Sequence, residues 1–249
     1  MRRRTKLALV AGGTMAVVTT SAVARGRLMG RGREAPLPDD DAVFTVYAPG
    51  GRYSFICNFI CNGPVGWVTS RLMPIMEAGV YGAVAEMLDL QPDDELLDIG
   101  CGPGAFLVTK AQHVRRVVGL DASPLRLREA ERRLAGRIAA GTARLVEGSA
   151  AVLPFGDGEF SGVTAINAPV QHAEAFRVLR PGGRLAFADP SPRRSPGDPT
   201  SAWGTRLYGE AEHRRMFEDV GFTDVTVRYL GIPPLGAELL VSCRKPAAS

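Results

Sequence analysis

The chain has 249 residues, of which 45% are hydrophobic and 22% charged, enough for one α/β domain with a sizeable core and an additional segment. Its formal net charge of +4 is misleading, because the first 33 residues hold eight Arg and Lys and no acid, while the remainder holds 22 basic against 26 acidic residues. This mildly acidic body lacks the basic footprint of a nucleic-acid-binding protein, and four scattered cysteines are too few for a disulfide framework.

An uncharged, moderately apolar segment, residues 7–24, follows the basic start of the chain. Its last residues, Ala22-Val23-Ala24, have the small-x-small form of a signal-peptidase site, yet its length is at the short end for a membrane span. In order of preference, we interpret it as a membrane-associating tail on a cytoplasmic protein, as the product of a wrongly assigned start codon, or as an export signal. The Arg-, Gly- and Pro-rich stretch that follows is typical of a linker, so residues 1–41 are predicted to form a tail and linker.

A second apolar segment, residues 42–90, is rich in aromatic side chains. Pro64 and Pro74 divide it into short pieces, and the Ala, Met, Leu and Glu between Ile75 and Leu88 predict a helix. Cys57 and Cys61 could share a helix face, but no histidine or second cysteine pair accompanies them, so no metal site is predicted.

The stretch Glu95–Phe106 predicts a buried strand, a glycine turn and the start of a helix, an arrangement typical of nucleotide-binding sites. Read as Gly100-x-Gly102-x-x-Ala105, it fits a dinucleotide-binding loop, whose bare backbone N–H groups hold a diphosphate. The carboxylate of Asp98 argues against that ligand, because it would repel a diphosphate and attract a cation.

Predicted strands and helices alternate after this loop. Strands are predicted at 116–121, 143–147, 162–167, 184–189, 222–230 and 238–243, and helices at 123–140 and 210–220. Ser123 and Pro124 supply the N-cap and first residue of the earlier helix. The alternation predicts an α/β fold with a Rossmann-like, seven-stranded, mostly parallel sheet and helices on both faces. The close-set last two strands predict a hairpin, and hence an antiparallel edge strand.

Four motifs occur in order between about residues 88 and 245. They are Asp98-Ile-Gly-Cys-Gly-Pro-Gly104, Gly119-Leu-Asp121-Ala-Ser, Leu153-Pro-Phe155 with Asp157-Gly158, and Arg177-Val-Leu-Arg-Pro-Gly-Gly183. In these motifs the chain resembles the class I S-adenosylmethionine-dependent methyltransferases, most closely the ubiquinone/menaquinone-biosynthesis-type and related small-molecule enzymes. The resemblance implies a methyltransferase domain over residues 91–245 and S-adenosyl-L-methionine as the cofactor.

The resemblance also implies which residues hold this cofactor. The glycine loop would line its methionine end, Asp98 would hold its ammonium directly or through water, and Asp121 would accept hydrogen bonds from the ribose hydroxyls. The full set assigned to the cofactor is Asp98, Gly100, Cys101, Gly102, Gly104, Asp121, Ala122, Ser149, Ala150 and Asn167.

Three features depart from the family pattern. The turn after the third strand has Ser149 where the family usually has an acid for the adenine amino group, and a hydroxyl accepts that bond without the charge that strengthens it. Ser161 stands where relatives usually start the fourth strand with Asp. The connection from Asn167 to Arg177 leaves little room for the usual intervening helix.

Methyl transfer is an in-line displacement in which the cofactor carries the hard chemistry, so a catalytic base is optional. His172, five residues beyond Asn167, is the candidate for a base or substrate ligand; the alternative is a partly exposed histidine on a helix. The resemblance implies that residues 42–90 cap the substrate pocket, although their aromatics could instead pack on the sheet. With the loop at 190–205 and the apolar tail, this favours a small hydrophobic acceptor, such as a quinone or a lipid-like molecule.

Two other functions stay open. An NAD(P)-dependent oxidoreductase would also use the glycine loop and a carboxylate, Asp121, that binds the ribose, but Asp98 would then face a diphosphate. A membrane-tethered cofactor-binding protein without activity would keep the fold, and Ser149 and Ser161 are compatible with it.

Overall fold

The computed structural model of the chain describes residues 75, 77–168, 170–190, 208–232 and 236–248. Three parts of the chain lie outside these residues: the tail and linker, most of the segment 42–90 with Cys57 and Cys61, and almost all of the loop 190–205. The division into tail, cap and domain therefore stays a prediction. Among the helices that the structure describes, none combines the length and the apolar character that a membrane span requires.

The described residues form five helices and seven strands. In chain order these are α1 (Ala78–Leu88), β1 (Glu95–Ile99), α2 (Ala105–Thr109), β2 (Arg116–Asp121), α3 (Pro124–Ala139), β3 (Ala143–Glu147), β4 (Phe160–Ile166), α4 (His172–Val178), β5 (Leu179–Pro190), α5 (Glu210–Val220), β6 (Thr223–Ile232) and β7 (Gly236–Arg244).

The strands form one sheet in the order β3-β2-β1-β4-β5-β7-β6. The first five strands in this order, β3 to β5, are parallel to one another, and β7 runs antiparallel to both β5 and β6. The predicted Rossmann-like, mostly parallel, seven-stranded sheet with an antiparallel edge is confirmed. The reversed strand β7 lies one position inside that edge, because β6 pairs with its outer side.

Alternating side chains of the strands fill two cores, one on each face of the sheet. Leu97 and Ile99 of β1 pack with Phe217 of α5, whereas Leu96 packs with Val84 of α1. Because helices cover both faces, the central strands read as nearly continuous apolar runs. The predicted placement of helices on both faces is confirmed.

The connection after β4 differs from the prediction. It contains the seven-residue helix α4, so the expectation that it leaves little room for a helix was wrong. The helix fits because it begins five residues after Asn167 and runs directly into β5 at Leu179.

Ser161 lies at the amino ends of β1 and β4, the edge of the sheet opposite the glycine loop. Its hydroxyl donates to Asp94 Oδ1 at 2.6 Å and accepts the backbone N–H of Glu95 at 2.8 Å, while Arg184 donates to Asp94 Oδ2 at 2.5 Å. These polar partners and the backbone N–H of Gln91 lower the pKa of Asp94, although the burial of this carboxylate acts to raise it. Ser161 therefore belongs to a structural network, and its departure from the family pattern does not touch the site described below.

Candidate functional site

The loop between β1 and α2 contains three glycines in the left-handed region, with φ of 69°, 51° and 75° at Gly100, Gly102 and Gly104. The backbone N–H groups of Gly100 and Cys101 both donate to Leu120 O, at 2.7 and 3.0 Å, which fixes the loop to the end of β2. A Cβ on Gly100 would lie 2.4 Å from the Cβ of Ala168. Only glycine lets the loop pack this closely against the chain leaving β4.

Asp121 closes the other side of the loop. Its Oδ2 accepts the backbone N–H of Gly102 at 2.8 Å, and its Oδ1 accepts that of Ser123 at 2.8 Å. Burial raises the pKa of Asp121, although these hydrogen bonds and the charge of Arg126 oppose the shift. The residue thus has a structural role in holding the loop that its position in the sequence did not predict.

Asp98, the fourth residue of β1, is buried beneath the loop, with 3% of its surface exposed. Its register partners are Gly119 on β2 and Thr164 on β4. Burial, followed by the charge of Asp121, raises its pKa well above the ordinary value. A buried carboxyl beside a second one ionises more easily when a cation is bound, so the site favours a cationic ligand over an anionic one.

A third wall of the site comes from α1 and the end of β4, and sequence reasoning missed most of it. Tyr81 Oη donates to Glu77 Oε2 at 2.6 Å, and Asn167 Nδ2 donates to Glu77 Oε1 at 3.2 Å. Asn167 has a φ of 52°, and its backbone N–H donates to Ala188 O on β5 at 2.9 Å. Within the described part of the chain its Oδ1 is buried and accepts no hydrogen bond. Burial raises the pKa of Glu77, while its hydrogen bonds and Arg126 oppose the shift.

Arg126, in the first turn of α3, contributes a cation to this acidic site. Its Nη1 lies 2.8 Å from the position that a Cβ on Gly102 would take. Its charge acts to lower the pKa values of Glu77 and Asp121. The sequence predicted an Arg- and Leu-rich helix but gave no signal for which arginine faces the loop.

The residues assigned to the adenine and ribose lie at the carboxyl ends of β2 and β3. Ser149 is exposed, and its hydroxyl accepts the backbone N–H of Ala151 at 3.1 Å, which closes the turn after β3. Ala150 is half-buried against the core, and Ala122 is exposed between Asp121 and the cap of α3. The structure therefore brings these positions to the same sheet edge as the glycine loop, while their contacts with a cofactor stay a prediction.

His172 begins α4 and is buried, with 6% of its surface exposed. Its ring packs edge-to-face against Phe217 of α5, with ring centroids 4.4 Å apart. The alternative of a partly exposed histidine was therefore wrong, and a role as base or substrate ligand stays a prediction. Its neighbour His213 is also buried, and burial lowers the pKa of His213 to about 4, with a further contribution from His172.

Known proteins resemble this chain over the region that builds the site. Residues 96–183 match the family described as "Methyltransferase domain". The erythromycin 3''-O-methyltransferase of Saccharopolyspora erythraea is 30% identical over 174 residues, 58% of this chain and 56% of that protein. The demethylmenaquinone methyltransferase of Symbiobacterium thermophilum is 34% identical over 111 residues, 41% of this chain and 44% of that protein. The chain thus spans about half the length of these relatives.

One solved structure illustrates the shared fold. Geranyl diphosphate C-methyltransferase from Streptomyces coelicolor A3(2), in complex with Mg²⁺, geranyl diphosphate and S-adenosyl-L-homocysteine, has a TM-score of 0.58 and 18% identity. The match covers 68% of this chain and 79% of that protein. At this identity the likeness concerns the fold alone.

Proposed function

We propose that this chain, which carries a class I S-adenosylmethionine-dependent methyltransferase domain, transfers a methyl group from S-adenosyl-L-methionine to a small, hydrophobic acceptor. The observation that carries the proposal is the pair of carboxylates, Asp98 and Asp121, beside a loop of three positive-φ glycines. A diphosphate would be repelled there, whereas a ligand with an ammonium and a sulfonium is attracted. The dinucleotide alternative gains no support from the relatives described above.

The described residues fit this cofactor. The missing Cβ atoms of Gly100 and Gly102 leave the backbone bare at the loop. The buried, unpaired Oδ1 of Asn167 requires a hydrogen-bond donor, and the ammonium is one. We assign the methionine end to Asp98, Gly100, Cys101, Gly102, Gly104 and Asn167, the ribose to Asp121 and Ala122, and the adenine to Ser149 and Ala150.

When bound, S-adenosyl-L-methionine supplies a methyl group on a sulfonium that acts as the leaving group. The residues of the chain then align the acceptor, because an in-line displacement depends chiefly on geometry. For a phenol, enol or amine acceptor, we propose His172 as the group that receives the proton. Its place at the start of α4, on the chain that leaves β4, supports this role.

The acceptor class rests on the composition of the chain and on its relatives. Residues 42–90 are rich in aromatic side chains, and we propose that they cap an acceptor pocket ahead of the domain at 91–245. The relative named for demethylmenaquinone supports a quinone or lipid-like acceptor. We further propose that residues 7–24 associate a cytoplasmic protein with the membrane.

Ligand binding followed by turnover tests the function. The full chain is titrated with S-adenosylhomocysteine, NAD and NADP by thermal shift and calorimetry, and then screened with demethylated quinones, phenols and isoprenoid diphosphates for S-adenosylhomocysteine release. We expect stabilisation by S-adenosylhomocysteine alone and turnover on an apolar acceptor. Stabilisation only by a dinucleotide would reject the proposal, and binding without turnover on any acceptor would favour the inactive binding protein.

Two further measurements address the base and the tail. His172→Gln should lower kcat while leaving S-adenosylhomocysteine affinity unchanged, and unchanged turnover would show that His172 is not the base.

Fractionation of cells expressing the full chain should recover it with membranes on the cytoplasmic side. Recovery of a mature form beginning near Arg25 outside the cell would contradict the tail assignment.

A further inference from the structure

Glu77 uses both of its carboxylate oxygens to hold neighbouring side chains. Oε2 accepts the hydroxyl of Tyr81, one turn further along the chain, at 2.6 Å, and Oε1 accepts Nδ2 of Asn167 at 3.2 Å. Tyr81 is itself held, since its ring packs edge-to-face against Phe106 of α2 with centroids 5.9 Å apart. The carboxylate therefore has a fixed orientation on the wall that α1 contributes.

An ionised carboxylate only accepts hydrogen bonds, so it determines which end of the Asn167 amide faces it. The NH₂ group must face Glu77, and the carbonyl oxygen must lie on the opposite side of the amide. That oxygen is buried and unpaired within the described residues, which is unfavourable until a donor arrives. Glu77 thus makes position 167 an acceptor.

The backbone that carries Asn167 passes beside the glycine loop. Ala168, the next residue, has its Cβ 2.4 Å from the place where a Cβ on Gly100 would stand. The charge of Asp98 also acts on Tyr81, and the charge of Arg126 acts on both Glu77 and Tyr81, so α1 shares the electrostatic environment of the loop. A donor that reaches Asn167 Oδ1 enters an acidic environment suited to a cation.

We propose that Glu77 is a positioning residue that fixes the Asn167 amide with its oxygen toward the α-ammonium of the cofactor. This inference rests on the proposed function. It assigns a binding role to the segment before the first strand, where the sequence carries no motif. It also makes helix α1 part of the cofactor site, in addition to its packing on the sheet.

A double-mutant cycle in the full chain tests this role. The variants are Glu77→Gln, Asn167→Gly and the combination of both; glycine is chosen because it adopts the positive φ of Asn167 without strain. Two probes are titrated: S-adenosylhomocysteine, which carries the ammonium, and 5′-deoxy-5′-methylthioadenosine, which has the adenosine and thioether but no ammonium. Glu86→Gln, an exposed change near the other end of α1, is the matched control.

We expect Glu77→Gln to weaken S-adenosylhomocysteine binding about tenfold, because the variant's amide can donate to Asn167 and let it reverse. Methylthioadenosine binding should stay within about twofold, and adding Glu77→Gln to Asn167→Gly should cause no further loss. Equal losses for both probes, an unchanged affinity for S-adenosylhomocysteine, or a further loss in the Asn167→Gly background would overturn the inference. If the unaltered chain bound no S-adenosylhomocysteine, the proposed function itself would fail.

Discussion

Asp121 bridges the glycine loop and helix α3, since its two carboxylate oxygens accept the backbone N–H groups of Gly102 and Ser123, each at 2.8 Å. These two bonds leave further lone pairs on the same oxygens. One side chain can therefore hold the loop in its positive-φ conformation and still accept hydrogen bonds from a ribose. The two roles are coupled, because a change at Asp121 alters the loop and the ligand contact together.

Asp121→Asn should weaken S-adenosylhomocysteine binding about tenfold to a hundredfold in calorimetry. The amide replaces one acceptor by a donor, which then faces a backbone N–H. Asp219→Asn, at an exposed position on α5, is the control and should bind normally. Undiminished affinity in Asp121→Asn would show that neither the loop nor the ribose depends on the carboxylate.

Arg126→Gln should tighten the binding of S-adenosylmethionine about three- to tenfold, and that of S-adenosylhomocysteine less. The Arg126 guanidinium lies at Gly102 among acidic side chains, so a ligand with a net positive charge must compete with it. The uncharged thioether of the product competes less. Arg128→Gln, an exposed change on the same helix, should leave both affinities unchanged. Weaker binding of both ligands would instead indicate that Arg126 holds the cofactor carboxylate.

S-adenosylmethionine binding should release protons, and its affinity should increase with pH. Burial raises the pKa values of Asp98 and Asp121 in the free protein, so both carboxyls take up protons more readily than ordinary aspartates. A bound cation favours their ionised forms. Calorimetry in two buffers of different ionisation enthalpy measures the release, and Asp98→Asn should reduce it. An enthalpy that is the same in both buffers would contradict the prediction.

The sequence was sufficient for the parts of the site that lie on one continuous motif. Asp98 and the three glycines are close in the chain, so their spacing predicted one loop, and the resemblance to the methyltransferases placed Asp121, at the end of the next strand, beside the same cofactor. Glu77, the N-cap of α1, and Arg126, on α3, reach the site from separate helices, and the face that each helix presents depends on packing across the sheet. Likewise, the final hairpin was predicted, but its sequence does not say which of its two strands pairs with β5. In the structure that strand is β7, which lies between β5 and β6.

Ser149→Asp should raise cofactor affinity about threefold to tenfold, because a carboxylate makes a stronger hydrogen bond to the adenine amino group than a hydroxyl. The exposed turn after β3 can accept the longer side chain, and Asp can still accept the backbone N–H of Ala151. Calorimetry with S-adenosylhomocysteine measures the gain, and Ser149→Asn, which lacks the charge, is the control. Equal affinities for the two variants would argue that Ser149 does not face the adenine.

His213 should make the fold sensitive to mild acid. Burial lowers its pKa from the ordinary 6.5 to about 4, so as pH falls the unfolded chain binds the proton first. The contribution of this group to the free energy of unfolding is fully present above about pH 6.5 and is lost as the pH decreases toward 4. The loss amounts to about 3 kcal/mol. Its Nδ1 lies 3.0 Å from Gly209 O, and its ring packs near Phe187, so a charged ring has little solvent to stabilise it.

Urea unfolding between pH 7 and pH 4.5 measures this dependence in the unaltered chain, in His213→Gln and in His113→Gln. Asp189 acts in the opposite direction, because burial and Glu238 raise its pKa to about 7 and its uptake of a proton favours the folded state as pH falls. The difference between the unaltered chain and His213→Gln isolates the histidine, since Asp189 is common to both. His113 is exposed, and its replacement should leave the profile unchanged. Parallel profiles for the unaltered chain and His213→Gln would mean that the imidazole is protonated in the folded state as readily as in the unfolded chain.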